Sequence, residues 1–381
     1  MQKIKENETL NSFWWRHHLQ SIRATIQTFG IGKELAKVMI LHTLWRQATV
    51  LSMRLDNLFF PAWRRMTVDR PVFIIGHPRS GTTMLHRSLT STGDFSVFLF
   101  WQLLFPSLTS RKLVGPLVNR MIRQGKDVIV PKSVGHLFAL GEVDEEDFLF
   151  LFQALTQFYP PLSALAFSEQ DFDDIVFCDA LPAGLRRESM AWLDGCFRRQ
   201  LLSTSPKRIV TKMNYSAMRV RTLLEAYPEA RIVYLVRSPL DTIPSHLSLH
   251  QNACYHQWGK DRLPTEVLDR YIRRRYEHNV SLYRYIEDLL VAGDLPESRM
   301  ITVRYEDMMR DLEGEVGRVA TFCDLELSDT LRHSIASQAE VQRGYKREHS
   351  NHTMEEFGLT RADVLRDLGF VFDRYGFDRG N

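Results

Sequence analysis

The 381-residue chain predicts an α/β fold, a parallel β-sheet flanked by helices. Three observations carry that expectation. First, short apolar runs lead directly into helix-like segments: "VFIIG" into "TTMLHRSLTS", "RIVTKM" into "AMRVRTLLEAY", and "RIVYLVR" into "PLDTIPSHLSLH". A further run, "MITVRY", leads into "EDMMRDLEGEVGRVATFC". Strand–helix alternation of this kind builds βαβ units, and strands buried on both faces read as continuous apolar runs. Second, the stretch "YPEARIVYLVR" is a helix end, a Pro breaker and a buried strand in succession. Third, Gly76 and Gly81 punctuate the first strand–helix junction, in "VFIIGHPRSGTT".

The segments around these units follow from their periodicity. Residues 10–66 carry apolar side chains at three- and four-residue steps and read as helices, so residues 1–70 form an N-terminal helical segment packed on the core. Trp14, Trp15, Arg16, Arg23, Trp45, Arg46, Trp63, Arg64 and Arg65 are interleaved on it. Two readings stand: Arg stems covering apolar surface of a packed helical pair, or an interfacial segment in peripheral contact with a membrane. Residues 71–381 form the main domain. Within it, about 92–205 is too long for a plain crossover and reads as a helical insertion over the carboxyl ends of the strands, where open α/β sheets bind ligands. Residues from about 331 to 381 form a C-terminal cap.

Composition narrows the classes. A net charge of +3 argues against a nucleic-acid partner, since charge is not massed on the chain as a whole. Cys178, Cys196, Cys254 and Cys323 are far apart with no CxxC pair, which reads as buried reduced thiols in a cytoplasmic setting. The polar start "MQKIKENETL" has no apolar signal region, and no uncharged apolar stretch is long enough to span a bilayer. His246 with His250, and His349 with His352, are each half of a metal-ligand spacing with nothing to complete it, so no metal is expected. Nothing in the sequence sets an oligomeric state.

The chemistry sits in the loops. In "GHPRSGTT" the glycines let the backbone approach a ligand, and the amides that open the next helix suit a tetrahedral anion. Ser80, Thr82 and Thr83 add hydroxyls and Arg79 a planar cation. The loop departs from a nucleoside-triphosphate loop because Thr82 stands where a Lys is expected. None of the predicted strands ends in an Asp of the Walker-B kind. A second anion site is read from Arg237 at a strand end and Ser245 about two turns into the following helix.

These features together resemble the sulfotransferases that use 3′-phosphoadenosine 5′-phosphosulfate (PAPS). "PRSGTT" resembles their 5′-phosphosulfate loop, in the bacterial and carbohydrate-type branch where Arg replaces the loop Lys. The spacing of Arg237 and Ser245 resembles their 3′-phosphate site, and the likeness runs in order over about residues 71–325. It implies a P-loop NTPase-like sulfotransferase fold, with PAPS as co-substrate and PAP as product, and metal-independent in-line transfer to a hydroxyl, less readily an amine. It also implies that Arg79 and Lys212 stabilise the leaving oxygen, that Ser80, Gly81, Thr82 and Thr83 grip the 5′-phosphosulfate, and that Arg237 and Ser245 hold the 3′-phosphate. Arg343, in "QRGYKRE", resembles a late Arg-Lys-Gly loop at the same phosphate without its Lys, since Gly344 follows directly.

The base that takes the acceptor's proton is not given by the motifs. Asn214 stands where the cytosolic branch has a His, and Gln102 stands near where relatives have Glu. The acidic stretch "HLFALGEVDEEDFLF" resembles one in the bacterial branch and nominates Glu145, then Asp147 and His136. The same acids also suit the start of a helix. Phe98, Phe100, Trp101, Phe105, Phe148, Phe150, Phe152, Phe158 and Tyr159 are either core or the lining of a pocket for a small-molecule, lipid or carbohydrate acceptor. The competing functions are a metal-dependent kinase or NTPase with a degenerate loop, and a nucleotide-binding module without turnover.

Overall fold

The computed structural model describes residues 8–205, 208–343 and 352–379, with only the backbone of Arg343. Its centre is a four-stranded parallel sheet in the order β4-β1-β5-β6, formed by β1 (Val72–Gly76), β4 (Val210–Lys212), β5 (Arg231–Val236) and β6 (Met300–Arg304). The four expected apolar runs supply the four strands. β1 and β5 are buried throughout save Arg231, because helices cover both faces. β4 is shorter than the run that predicts it, but the backbone bond from Met213 to the Ile74 carbonyl carries its pairing one residue further.

Gly76 is needed where β1 meets β5. Its φ is +153°, and a Cβ there would stand 2.3 Å from the Leu235 carbonyl oxygen. The chain then turns through residues 77–81 into the helix Thr82–Thr90. His86 of that helix bonds the Val210 carbonyl at 3.2 Å, which anchors the helix to β4.

The N-terminal helices share the main core. Helix Leu10–Phe29 starts at a capping box made by Thr9 and Ser12 and buries Phe13 and Trp14 in it. After a π-helical turn, Lys37–His42, helix Thr43–Phe59 carries Asp56 in its last turn, where it is wholly buried. Asp56 accepts bonds from Leu108 N, Thr109 N and Ser107 Oγ, so it caps the helix Leu108–Arg123 from outside. It also pairs with buried Arg199 at 2.6 Å, and the Arg199 guanidinium lies 3.8 Å from the Trp63 ring centroid. A buried ion pair is tolerable because each charge is also hydrogen-bonded.

The insertion differs from its sequence reading in two places. It contains an antiparallel hairpin of β2 (Val128–Val130) and β3 (Phe138–Ala139), where a wholly helical insertion was expected. "EDFLFLFQ" forms a 3₁₀ helix, Glu146–Gln153, buried on every side. Its two leading acids reach sideways into the neighbouring backbone, which holds the segment in the tighter coil. The last helix after β6 also breaks in two, Tyr305–Arg310 and Leu312–Phe322, at Asp311, whose side chain caps the second. The chain closes with helices Asp329–Arg343 and Arg361–Tyr375. The four cysteines are free and buried.

Candidate active site

A cleft of about 570 Å³ opens at the carboxyl ends of β1, β4 and β5. It is walled by the loop after β1, by Asn214 and Tyr215 after β4, by Arg237 after β5, and by His136, Phe138, Glu145 and Phe158 from the insertion. The insertion therefore covers the strand ends, where the sheet places its ligand.

The loop is built for close approach. Gly81 has a φ of +93°, and a Cβ on it would meet the Tyr305 ring at 2.7 Å. The opening amides of helix Thr82–Thr90 have no acceptor within the helix, and Gly81, Thr82, Thr83 and Met84 line the cleft. The Ser80 hydroxyl is fully buried and has no hydrogen-bond partner in the protein. Arg79 sits at a φ of +77°. Its Nε donates to Ser245 Oγ at 3.0 Å and its Nη1 to the Gly135 carbonyl at 3.3 Å. The guanidinium thus reaches Ser245, the residue that the sequence reading pairs with Arg237. A side chain already bonded to Ser245 bridges the two sites.

Arg237 and Ser245 both line the cleft. Arg237 pairs with Asp241 at 3.1 Å, donates toward the Arg79 carbonyl and lies 4.1 Å from the centroid of the Tyr305 ring. Arg343 ends helix Asp329–Arg343, and its side chain lies outside the described residues, as does His349.

At the end of β4, Lys212 is buried with its Nζ 3.1 Å from Thr83 Oγ1, 3.5 Å from Asp144 Oδ1 and 3.6 Å from Glu145 Oε1. Burial opposes the charge on Asp144, but Lys212 and His136 outweigh it and hold that carboxyl down at about 2. Asp144 in turn bonds His136 Nε2 at 3.1 Å. Glu145 behaves oppositely. Burial pushes it up, Lys212 pulls it back, Asp144 and Asp147 add to the rise, and the carboxyl settles at about 7. Asn214 Nδ2 donates to Glu145 Oε1 at 2.7 Å, while Oε2 has no partner in the protein. Two adjacent acids are driven apart, one held ionised beside Lys212 and His136 and the other raised toward neutrality.

Of the nominated bases, Glu145 and His136 are in the cleft and Asp147 is not. Asp147 is fully buried and accepts from Tyr215 N at 2.9 Å and Ser216 Oγ at 2.5 Å, so it clamps the turn after β4. Glu146 does the same for Lys212 N at 2.8 Å. Gln102 is also structural, accepting from Leu99 N and Gln200 Nε2. His246 and His250 face each other at 2.9 Å with Tyr215 Oη 3.2 and 3.3 Å away. Burial first, and then neighbouring positive charge, keeps both imidazoles neutral. No group of three or more His, Cys, Asp or Glu stands together for a metal among the described residues.

Sequence reasoning missed Tyr215, Tyr305 and Phe138 as cleft walls, left Phe158 between core and pocket lining, and treated Asn214 only as a lost base. Tyr305 was within reach: it ends the run "MITVRY", the position at which Arg237 was found in the neighbouring strand.

A glycine loop opening a helix, a buried lysine beside it and a carboxyl poised near neutrality define a group-transfer enzyme working on a phosphate-like donor. Residues 71–329 match the model of the sulfotransferase family, more than half of the chain, and the protein belongs to that family. It is a sulfotransferase. It is 26% identical over 356 residues to the omega-hydroxy-beta-dihydromenaquinone-9 sulfotransferase Stf3 of Mycobacterium tuberculosis, covering 89% of this chain and 86% of that protein, and matches the Mycobacterium bovis protein equally. The fold is shared with the solved sulfotransferase STF9 of Mycobacterium avium, at a TM-score of 0.73 and 17% identity over the full length of both chains. It is also shared with STF1 of Mycobacterium tuberculosis, at 0.62 and 19% over 94% of this chain and 92% of that one.

Proposed function

We propose that the enzyme transfers a sulfuryl group from PAPS to the hydroxyl of a lipid-like acceptor, with Glu145 as the base. The observation that carries this reading is the Glu145 carboxyl, partly buried in the wall of the cleft, 3.6 Å from Lys212 Nζ and raised to about 7. A base with a pKa near the working pH is the most effective. The residues present fit a nucleotide with acidic groups at both ends. The loop amides, Thr82 and Thr83 suit one end, and Arg237, Ser245 and Arg79 the other, while the buried Ser80 hydroxyl stands behind the lining.

When bound, PAPS supplies the sulfuryl group and a 5′-phosphate leaving group. Lys212 and Thr83 hold positive and donor character where charge gathers on the leaving oxygen. Asn214 fixes Glu145 by one oxygen, which leaves Oε2 to accept the acceptor's proton. His136, tied to Asp144, helps position the incoming hydroxyl. This charge comes from side chains, so the transfer needs no metal in this reading. A metal-dependent kinase is disfavoured because β4 ends in Lys212, and β5 and β6 run into Arg237 and Arg304.

A lipid-like acceptor is supported by the name of the Stf3 relatives. It is also supported by an exposed apolar face on the N-terminal helices, including Met39, Ile40, Leu41, Leu44, Leu51 and Leu58. That face suits peripheral docking on a bilayer. No helix among the described residues is long and apolar enough to cross a membrane.

The test is binding of PAP by calorimetry, followed by transfer of labelled sulfate from PAPS to primary alcohols with and without a chelator. PAP binding that weakens at least tenfold in Arg237→Ala with Ser245→Ala, and chelator-resistant transfer, are the expected results. Stabilisation by ATP with Mg²⁺ but not by PAP would sink the proposal.

A further inference from the structure

Beside the catalytic cleft lies a second cavity of about 260 Å³ that the donor and base chemistry does not use. It is enclosed by the N-terminal helices on one side and the insertion on the other, and Trp14, Trp45, Leu104, Leu151, Phe152 and Leu162 are among its walls. Phe138 lines both spaces. Phe148, in the wall of the cavity, stacks on Phe158, in the wall of the cleft, with ring centroids 4.1 Å apart. The partition is therefore about one aromatic ring thick, and Phe138 contacts the rings of both His136 and Phe148.

The polar groups of the lining are few: the Tyr159 hydroxyl is buried without a partner in the protein and Gln257 stands at one side, while the others are engaged or neutral. Arg46 is already bonded to the Phe152 carbonyl and to Asn11, and its charge lies over Trp14. Burial keeps His42 neutral, down at about 4. Ser163 donates to the Tyr159 carbonyl. At the outer end, Ile129 is half exposed, and Leu41, Leu44 and Val128 next to the lining residues in sequence are exposed too. An apolar passage thus runs from an apolar rim, between two aromatic walls, to the ring that borders the base. Its match is a hydrocarbon chain with a hydroxyl at one end.

We propose that this cavity is the tail subsite of the acceptor, holding the hydrocarbon chain of an amphiphilic alcohol whose hydroxyl passes Phe138 to reach Glu145. The assignment of the chain's far end rests on Glu145 as the base. The subsite itself rests only on the cavity. Chain length therefore sets affinity, and the cleft alone sets turnover of short acceptors.

The test uses the full chain and a series of primary alcohols from hexanol to tetradecanol. Each buried methylene raises affinity about fourfold until the cavity is filled. Leu162→Trp fills the cavity without touching the cleft. Its affinities are expected to stop rising at a shorter chain, while hexanol binds and turns over as in the unaltered enzyme. A dodecanol brominated at mid-chain is expected to quench tryptophan fluorescence saturably, and Trp45→Phe to lose part of that quenching. This second measurement needs no substitution that enlarges a side chain. Affinity independent of chain length, or a Leu162→Trp series that follows the unaltered enzyme at every length, overturns the subsite, as does quenching unchanged in Trp45→Phe. Chain-length-dependent binding without labelled sulfate transfer to any alcohol instead overturns Glu145 as an alcohol base and leaves the subsite standing. Transfer to hexanol with no length dependence does the reverse.

Discussion

Replacing Glu145 by Gln separates its proposed catalytic role from its effect on the fold. In the folded protein the carboxyl sits at about 7, against an ordinary value of 4.5. The folded state therefore holds a proton that the unfolded chain has already released between those two values. Stability contributed by this group is intact below 4.5, falls as pH rises through the window and is fully lost above 7. At 1.36 kcal/mol per unit, the ionised carboxylate costs the folded state about 3 kcal/mol at pH 8. Gln keeps the shape and never ionises. Urea unfolding should then find Glu145→Gln as stable as the unaltered enzyme near pH 4.5 and more stable by up to about 3 kcal/mol at pH 8. Activity should move the other way. Loss of a general base lowers kcat by about 10²- to 10⁴-fold. In the unaltered enzyme kcat/KM should climb about tenfold from pH 6 to a plateau above 7, following the deprotonated fraction. If Glu145→Gln is no more stable at pH 8 than at pH 4.5 relative to the unaltered protein, or if kcat/KM is flat across pH 6–8, the assignment of a buried, near-neutral base is wrong.

Further consequences follow from the same geometry. Asn214→Ala removes the donor that favours the charged form of Glu145, so the pH limb of kcat/KM should shift upward while PAP affinity measured by calorimetry stays within about twofold. Gly81→Ala forces a Cβ into the Tyr305 ring at a left-handed φ. It should lower the melting temperature and abolish saturable PAP binding, because the loop amides move with the strain. Asp56→Ala leaves the Arg199 charge buried without its carboxylate and uncaps helix Leu108–Arg123, a loss of about 3–5 kcal/mol in urea unfolding. Asp56 does not line the cleft, so kcat at low temperature should be retained.

The sequence alone determined the sheet and the glycine loop that borders the cleft. β1 and β5 are read directly because burial on both faces writes them as unbroken apolar runs. The loop between Gly76 and Gly81 is read because a turn at these positive φ values, tight against Leu235 and Tyr305, admits only glycine. Lys212 and Arg237 follow because each lies at or just beyond a strand end, and Ser245 because helical spacing carries it back toward that end about two turns into the next helix. What the tertiary structure decided is everything that depends on environment. Asp144, Glu145, Glu146 and Asp147 are four consecutive acids in the sequence, yet one pairs with His136 and Lys212, one lines the cleft bonded to Asn214 and two clamp backbone. Their chemistry is set by how deeply each is buried and which long-range partner it meets, and neither is encoded in spacing. For the same reason, the aromatic residues of the insertion could not be divided in advance between core and cavity wall. Only the packing of the N-terminal helices against residues 138–163 leaves Phe138 and Phe148 bordering open space while Phe98 and Phe150 are sealed in the core.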